Sequence, residues 1–149
     1  MSELKFEISD IVSEEAGKKI VEGLVAFNDQ HVAGSLGKKD LLVVARNSSG
    51  EIIGGARGYT SRDWLFINHL WVSETARKSG LGARLLQMAE DEAKKRGCFA
   101  AHLDTFSFQA LDFYKKQGYE IFGELNNFPR GHKRFFLQKS FEAGPAQTS

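Results

Sequence analysis

Apolar residues recur along the chain with two periods, one typical of helices and one typical of strands. From Ser13 to Phe27 they are spaced by three and four residues, which predicts an amphipathic helix even though two glycines weaken it. A stronger helical pattern covers Gly80–Arg96, where three basic residues and a following glycine favour termination. A shorter pattern predicts a third helix over Gln109–Gln117.

Short apolar runs bounded by turn residues predict the strands. These runs are Lys5–Ile8, Leu41–Ala45, Glu51–Tyr59, Trp64–Val72, Cys98–Leu103, Tyr119–Phe122 and Phe135–Leu137. Tight turns join the second, third and fourth runs, which favours an antiparallel meander. Three glycines within Glu51–Tyr59 indicate a bulge or a close approach of two backbones. The order of elements, with one strand–helix–strand crossover, predicts a mixed α/β (α+β) fold.

Length and composition narrow the class of protein. The chain has 149 residues, of which 42% are hydrophobic and 26% charged, as expected of a globular protein. We expect a single domain over residues 1–142, with a flexible tail over 143–149. Twenty basic and nineteen acidic residues give a net charge of +1, so the composition provides no general attraction for nucleic acid or for an anionic membrane.

Targeting signals and cysteine chemistry add further expectations. No run is long and apolar enough to span a bilayer, and no signal-peptide pattern follows Met1, so we expect a cytoplasmic protein. The one cysteine, Cys98, excludes an intrachain disulfide and a cysteine-rich zinc site. Between a helix end and an apolar strand, it is expected to be a small buried residue, and no metal is predicted.

The segment Arg77–Ala83 has the features of an anion site at a helix N-terminus. Gly80 and Gly82 carry no Cβ that would keep an anion away from the backbone. The first amides of the helix lack partners within it, and Arg77 adds a charged fork suited to phosphate. The P-loop spacing is absent, and Leu85 stands where a dinucleotide fingerprint needs glycine. The remaining pattern is Arg-x-x-Gly-x-Gly, for which a turn that merely begins a helix is the alternative.

Two segments resemble the GNAT family of N-acetyltransferases. The run LWVSETARKSGLGARLL, residues 70–86, resembles the family's apolar strand followed by Arg/Gln-x-x-Gly-x-Gly/Ala and a helix. The run LDTFSFQALDFYKKQGY, residues 103–119, resembles its next strand, linker and tyrosine-bearing helix. The segment Asn127–Leu137 resembles a bacterial subgroup of the family in which a Pro-x-Gly-His turn precedes a Phe-Leu-x-Lys strand, and this subgroup includes small-molecule enzymes. That segment is either a tight turn or a binding loop.

The resemblance implies a fold and an acetyl-CoA site. It implies a mostly antiparallel sheet of six or seven strands with about four helices, in which the fourth and fifth strands splay apart around the pantetheine arm. The arm would run along the backbone of Leu70, Trp71 and Val72 as an added strand does. Gln109 matches a position that often contacts the arm. The other implied cofactor-binding residues are Arg77, Lys78, Ser79, Gly80, Leu81, Gly82, Ala83, Phe113 and Tyr114.

The resemblance also implies catalytic roles. Tyr114 matches the family's general acid, whose hydroxyl protonates the departing thiolate of CoA. The acidic residue that many relatives carry on the fourth strand is replaced here by Asn68 and His69. Alternation along the strand predicts that only one of these two lines the cleft, and His69 is the candidate base or water-positioning group. His31 and His132 are weaker candidates, and a chain of waters is the alternative to any base.

These observations favour an acetyltransferase over other functions. The leading prediction is direct transfer of acetyl from acetyl-CoA to a primary amine of a small molecule, within a ternary complex. The alternatives are a protein or peptide N-acetyltransferase, a non-catalytic acyl-CoA-binding module that needs no acid, and a nucleic-acid-binding domain, which the balanced charge disfavours. Members of the family often dimerise through sheet edges, so the resemblance implies a homodimer that forms through the C-terminal strand.

Overall fold

The computed structural model describes residues 3–32 and 37–142, and the chain divides into two compact units, 1–35 and 36–149. The first unit contains helix α1, Glu14–Asp29. The hydroxyl of Ser13 caps this helix by accepting a hydrogen bond from the Ala16 N–H at 3.2 Å. The predicted strand Lys5–Ile8 is wrong, because the described part of this unit contains no second strand with which it would pair. The single domain over 1–142 stays a prediction, and the expected tail lies outside the described residues.

The second unit is built on a six-stranded sheet. Its strands are β1 Lys39–Arg46, β2 Ile52–Ser61, β3 Trp64–Val72, β4 Ala100–Phe106, β5 Glu120–Asn126 and β6 Lys133–Ser140. They lie in the order β1-β2-β3-β4-β6-β5, and all neighbours are antiparallel except β3 and β4. The predicted meander and single crossover are confirmed, as is the mixed fold class. Among the described residues there are three α-helices, where about four were expected.

A bulge interrupts the pairing of β2 with β3. Arg57 lies opposite His69 and Gly58 lies opposite Ile67, so Asn68 is the extra residue on β3. A Cβ on Gly58 would overlap the carbonyl oxygen of Phe66, and only glycine permits this approach. The close approach predicted from the glycines of this strand is therefore confirmed, and it changes the direction of the β3 side chains just before the functional site.

Helix α2, Leu81–Lys95, packs on one face of the sheet. Its buried apolar residues are Leu85, Leu86, Ala89 and Ala93, and the last three join a core with Leu65, Ile67, Leu103 and Leu137. Gly97, with φ of 92°, follows the helix and ends it as predicted. The short helix α3, Leu111–Lys116, adds Tyr114 to the same core. Burial of the α2 face fixes the N-terminus of this helix close to the end of β3.

Strands β3 and β4 pair along only part of their length. Parallel pairing joins Trp64–Ile67 to Ala100–Leu103 and stops there. Beyond that point β3 stays paired with β2 up to Val72, while β4 stays paired with β6 up to Phe106. Each strand is therefore held on its outer side, and a gap opens between them. This confirms the predicted splay of the fourth and fifth strands, which are β3 and β4 because Lys5–Ile8 forms no strand.

The last strand lies inside the sheet. Strand β6 is flanked by β4 and β5, so the edges of the described sheet are β1 and β5. The expectation that the C-terminal strand is a free edge for dimerisation is therefore wrong. A return through Asn127–Gly131, where Asn127 and Gly131 have positive φ, brings β6 back between strands that precede it in the sequence.

Candidate active site

The gap between β3 and β4 leads into a cavity of about 720 Å³. The end of β3, the loop after it, the start of α2 and the start of α3 form its walls. Its lining residues are Leu70, Trp71, Val72, Ala76, Arg77, Lys78, Gly80, Leu81, Gly82, Ala83, Phe108, Gln109, Ala110, Phe113, Tyr114 and Gln117. Every residue that the sequence assigns to the cofactor is among them except Ser79. The volume suits a small organic ligand rather than an ion.

The loop between β3 and α2 is folded back on itself by its own side chains. The Arg77 Nε donates to the Val72 carbonyl at 3.1 Å, and the Ser79 hydroxyl donates to the Ala76 carbonyl at 2.5 Å. Lys78 and Gly80 have φ values of 65° and 83°, which turn the chain sharply into the helix. The hydroxyl of Ser79 is thus used inside the loop, which explains why this residue does not line the cavity.

The main-chain N–H groups of residues 78–83 are free to bind an anion. No described residue accepts a hydrogen bond from any of them, and the first helical bond runs from Arg84 N–H to the Gly80 carbonyl at 3.1 Å. The first turn of α2 carries no acidic residue, so nothing there neutralises the positive end of the helix. These amides can therefore surround a diphosphate, with Arg77 and Lys78 nearby.

Gln109 and Phe113 line the cavity from the α3 side. The Gln109 Oε1 accepts hydrogen bonds from the Phe106 N–H at 2.8 Å and from the Thr105 hydroxyl at 3.1 Å. Only its NH₂ group remains available to a ligand, so Gln109 can donate but not accept. The Phe113 ring packs against Gly82 in the first turn of α2, where an added Cβ would lie 3.4 Å from the ring.

A second cavity, of about 430 Å³, adjoins the first. Its lining residues are Asn68, His69, Leu70, Trp71, Asp104, Thr105, Phe106, Gln109, Ala110, Tyr114 and Arg134. The two cavities share Leu70, Trp71, Gln109, Ala110 and Tyr114, so they meet at the end of β3 beside Tyr114. Both Asn68 and His69 line the second cavity. The expectation that only one would do so is wrong, because the bulge at Asn68 breaks the alternation.

Tyr114 stands where the cavities meet. Its side chain is 8% exposed, and no described residue hydrogen-bonds to its hydroxyl. In the described part of the chain every fully buried side-chain polar atom has a partner, so this hydroxyl must reach the cavity space. Burial, with a smaller effect of the charge on Asp104, raises the pKa of Tyr114 to about 12. The phenol is therefore a neutral hydrogen-bond donor across the physiological pH range.

Asp104 and Arg134 are site residues that sequence reasoning missed. The Asp104 Oδ1 accepts two hydrogen bonds from Arg134, from Nε at 2.9 Å and from the terminal NH₂ at 2.7 Å. The guanidinium lies 4.8 Å from the centre of the Phe128 ring and 5.4 Å from those of Phe106 and Phe136. The available signal was a single carboxylate in the apolar strand Ala100–Phe106; its partner comes from a strand 30 residues away.

The segment after β5 forms a tight turn. The Phe128 N–H donates to the His132 carbonyl at 3.1 Å, and the His132 N–H donates to the Pro129 carbonyl at 3.0 Å. The ring of His132 lies 5.0 Å from that of Phe108, and Phe128 lies 5.8 Å from Phe106. The turn thus packs beside the second cavity, although neither His132 nor Phe128 lines it. The other weak candidate, His31, belongs to the first unit.

Two further observations concern other site types. Among residues 3–32 and 37–142, no group of three His, Cys, Asp or Glu side chains is arranged to hold a metal ion. No helix in the same residues is both long and apolar enough to cross a bilayer.

A pocket that can hold a diphosphate at one end and a thioester at the other, beside a neutral phenol, defines an enzyme that uses a CoA thioester. A model of the Acetyltransferase (GNAT) family matches residues 8–119. The chain belongs to this family, and it is an acetyl-CoA-dependent acetyltransferase.

Comparisons with individual proteins agree with this assignment. The chain is 38% identical over 138 residues to an acetyltransferase of Agrobacterium fabrum, covering 93% of this chain and all of the relative. It is 37% identical over 91 residues to the blasticidin-S acetyltransferase of Streptomyces morookaense, covering 60% of this chain and 67% of that one. A crystal structure of an acetyltransferase from Bacillus cereus superposes with a TM-score of 0.81 at 33% identity, covering 90% of this chain and 97% of that one.

Proposed function

We propose that this enzyme transfers acetyl from acetyl-CoA to the primary amine of a small molecule, by direct attack within a ternary complex. The observation that carries the proposal is the meeting of two cavities at Tyr114. A thioester in one cavity and an amine in the other would face each other across this residue. The second cavity, about 430 Å³, has the size of a small-molecule site, and one relative is named for a small molecule, blasticidin S.

The cofactor would lie along the larger cavity. Free amides from Lys78 to Ala83 would bind its pyrophosphate, and Arg77 would add charge at the start of the loop. The pantetheine arm would follow the unpaired side of β3 at Leu70, Trp71 and Val72, where β4 has parted from it. The amide of Gln109 would donate to the arm, and Phe113 and Tyr114 would pack beside the thioester.

The chemical step needs two proton transfers. The neutral amine attacks the thioester carbon, and the main-chain amide near Trp71 would polarise the carbonyl oxygen. As the carbon–sulfur bond breaks, Tyr114 would give its proton to the sulfur. The proton that leaves the nitrogen would pass to His69 or to water in the second cavity. Cys98, the one cysteine of the chain, lines neither cavity, which favours direct transfer over an acyl-cysteine intermediate.

The test is a screen of acceptors with the whole chain and acetyl-CoA, read by thiol release. Polyamines, aminoglycosides, amino acids and peptides are compared, and we expect turnover of small amines. Turnover confined to peptides would instead indicate a protein N-acetyltransferase. For the best acceptor, double-reciprocal plots should intersect; parallel lines would contradict a ternary complex. Calorimetric titration with acetyl-CoA is the independent control, since no binding at millimolar concentration would overturn the proposed cofactor site.

A further inference from the structure

We propose that the second cavity binds a primary amine that carries a flat aromatic group, and that Asp104 binds the ammonium of this acceptor before one proton passes to His69 or water and the neutral amine attacks. The inference rests on the proposed function, because it concerns the acceptor of the same reaction. It adds a substrate class and a binding residue that lies on β4, away from the β3 positions at which sequence reasoning looked for a polar group.

One of the two carboxylate oxygens of Asp104 receives no hydrogen bond from the described residues. Both hydrogen bonds from Arg134 end on Oδ1, and no described residue donates to Oδ2. Because no fully buried side-chain oxygen in the described part of the chain lacks a partner, Oδ2 must be accessible. Asp104 lines the second cavity, as Tyr114 does, so this oxygen is offered to an acceptor beside the reacting centre. A carboxylate oxygen in that position suits an ammonium donor.

Arg134 is the positioning residue for this carboxylate. Its side chain is 27% exposed, and its guanidinium is fixed between Asp104 and the rings of Phe106, Phe128 and Phe136. These two hydrogen bonds set the orientation of the Asp104 carboxylate. The competing interpretation is that the pair only ties β4 to β6, since the two residues come from these strands.

The walls of the cavity indicate what the amine is attached to. Trp71, with 51% of its surface exposed, and Phe106 both line the cavity. Phe108 stacks on Phe106 at 5.2 Å with 7° between the ring planes, which extends an aromatic surface toward the larger cavity. The exposed rings are those of Trp71 and Phe108, and exposed aromatic rings bind flat groups by stacking and bind cations through their π electrons. A cationic amine joined to an aromatic ring matches both features.

The first experiment uses 2-phenylethylamine as acceptor and compares Asp104→Asn with Asp40→Asn, an exposed acid on β1. We expect Asp104→Asn to raise KM for the amine about tenfold or more, with KM for acetyl-CoA unchanged. Asp40→Asn should match the parent enzyme. Arg134→Met should raise the amine KM and Arg134→Lys should recover part of the loss. An unchanged amine KM in Asp104→Asn, or an equal change for both substrates, would reduce the pair to a structural contact and overturn the inference.

The second experiment uses only the parent enzyme, so its result does not depend on whether a variant folds. Binding of 2-phenylethylamine to the parent enzyme is compared with that of neutral 2-phenylethanol and of spermidine, a polycation without a ring. We expect the amine to bind about tenfold more tightly than the alcohol and to be acetylated faster than spermidine. Equal binding of amine and alcohol, or no acetylation of 2-phenylethylamine, would overturn the inference. The proposed function would survive such a result if acetyl-CoA still bound and another amine were turned over.

Discussion

Burial determines how Tyr114 can act. A pKa of about 12 keeps the phenol protonated. It also makes the difference in pKa between the phenol and a thiol larger than it would be for an exposed tyrosine. We predict that Tyr114→Phe lowers kcat by about 100-fold, because the variant removes the proposed proton donor and keeps the ring. Affinity for acetyl-CoA should stay within experimental error, as calorimetry would measure. Parent-like turnover in the variant would exclude Tyr114 as the acid.

His102 is a titratable residue that lies outside both cavities. It stacks on Phe66 at 4.7 Å, and burial lowers its pKa while Asp104 partly offsets that effect. The folded state therefore favours the neutral ring, so its contribution to stability is complete above the ordinary pKa of about 6.5 and is lost as pH falls through the lowered folded value. We predict that His102→Phe loses less thermal stability between about pH 7.5 and 5 than the parent does. Equal slopes of Tm against pH in the two proteins would contradict this.

At the level of elements, the close contact of β2 with β3 depends on one glycine. A methyl group on Gly58 meets the backbone of Phe66, which has no room to move within a paired strand. We predict that Gly58→Ala lowers the free energy of unfolding by about 3 kcal/mol. The control is Gly123→Ala on β5, where a Cβ meets no atom within 4 Å and the effect should be below about 1 kcal/mol. Urea denaturation of both variants checks the prediction, and similar losses would contradict it.

A buried ion pair joins helix α2 to strand β6. Glu90, 1% exposed, accepts hydrogen bonds from the Lys139 ammonium at 2.7 Å and from the Tyr119 hydroxyl at 2.8 Å. We predict that Glu90→Ala destabilises the protein by about 3 kcal/mol, because it leaves a partly buried ammonium and a buried hydroxyl unpaired. Glu124→Ala breaks the exposed pair with Lys133 and should cost about 0.5 kcal/mol. Chemical denaturation that ranks the two variants in the opposite order would refute this account.

The elements that the sequence predicts well are those with a strong local signal. Periodicity and a terminal glycine identify α2, and the free amides before it follow from the same local pattern. The features that the sequence did not predict have non-local causes. The bulge at Asn68 arises from the register between two strands, and the pairing of Asp104 with Arg134 depends on a strand order that periodicity does not contain. Lys5–Ile8 has the composition of a strand but lacks a partner in the described part of its unit.

For the whole molecule, the cofactor side of the site was predicted more fully than the acceptor side. The larger cavity is formed mostly by two continuous segments, which the family resemblance covers, whereas the second cavity adds Arg134 from β6. Cytoplasmic location and a homodimer stay predictions. Any pairing of sheets between two copies would use β1 or β5, the edges of the described sheet.

The interior position of β6 has a consequence for biosynthesis. Of the six described strands, β6 leaves the ribosome last, yet it supplies the partner for both β4 and β5. A nascent chain that ends before Lys133 therefore exposes the backbone edge of β4 and leaves β5, with Ile121 and Phe122, no neighbour in this sheet. Such unpaired apolar strands invite association with other nascent chains. The polypeptide is then most vulnerable to aggregation until β6 has emerged and paired with β4 and β5.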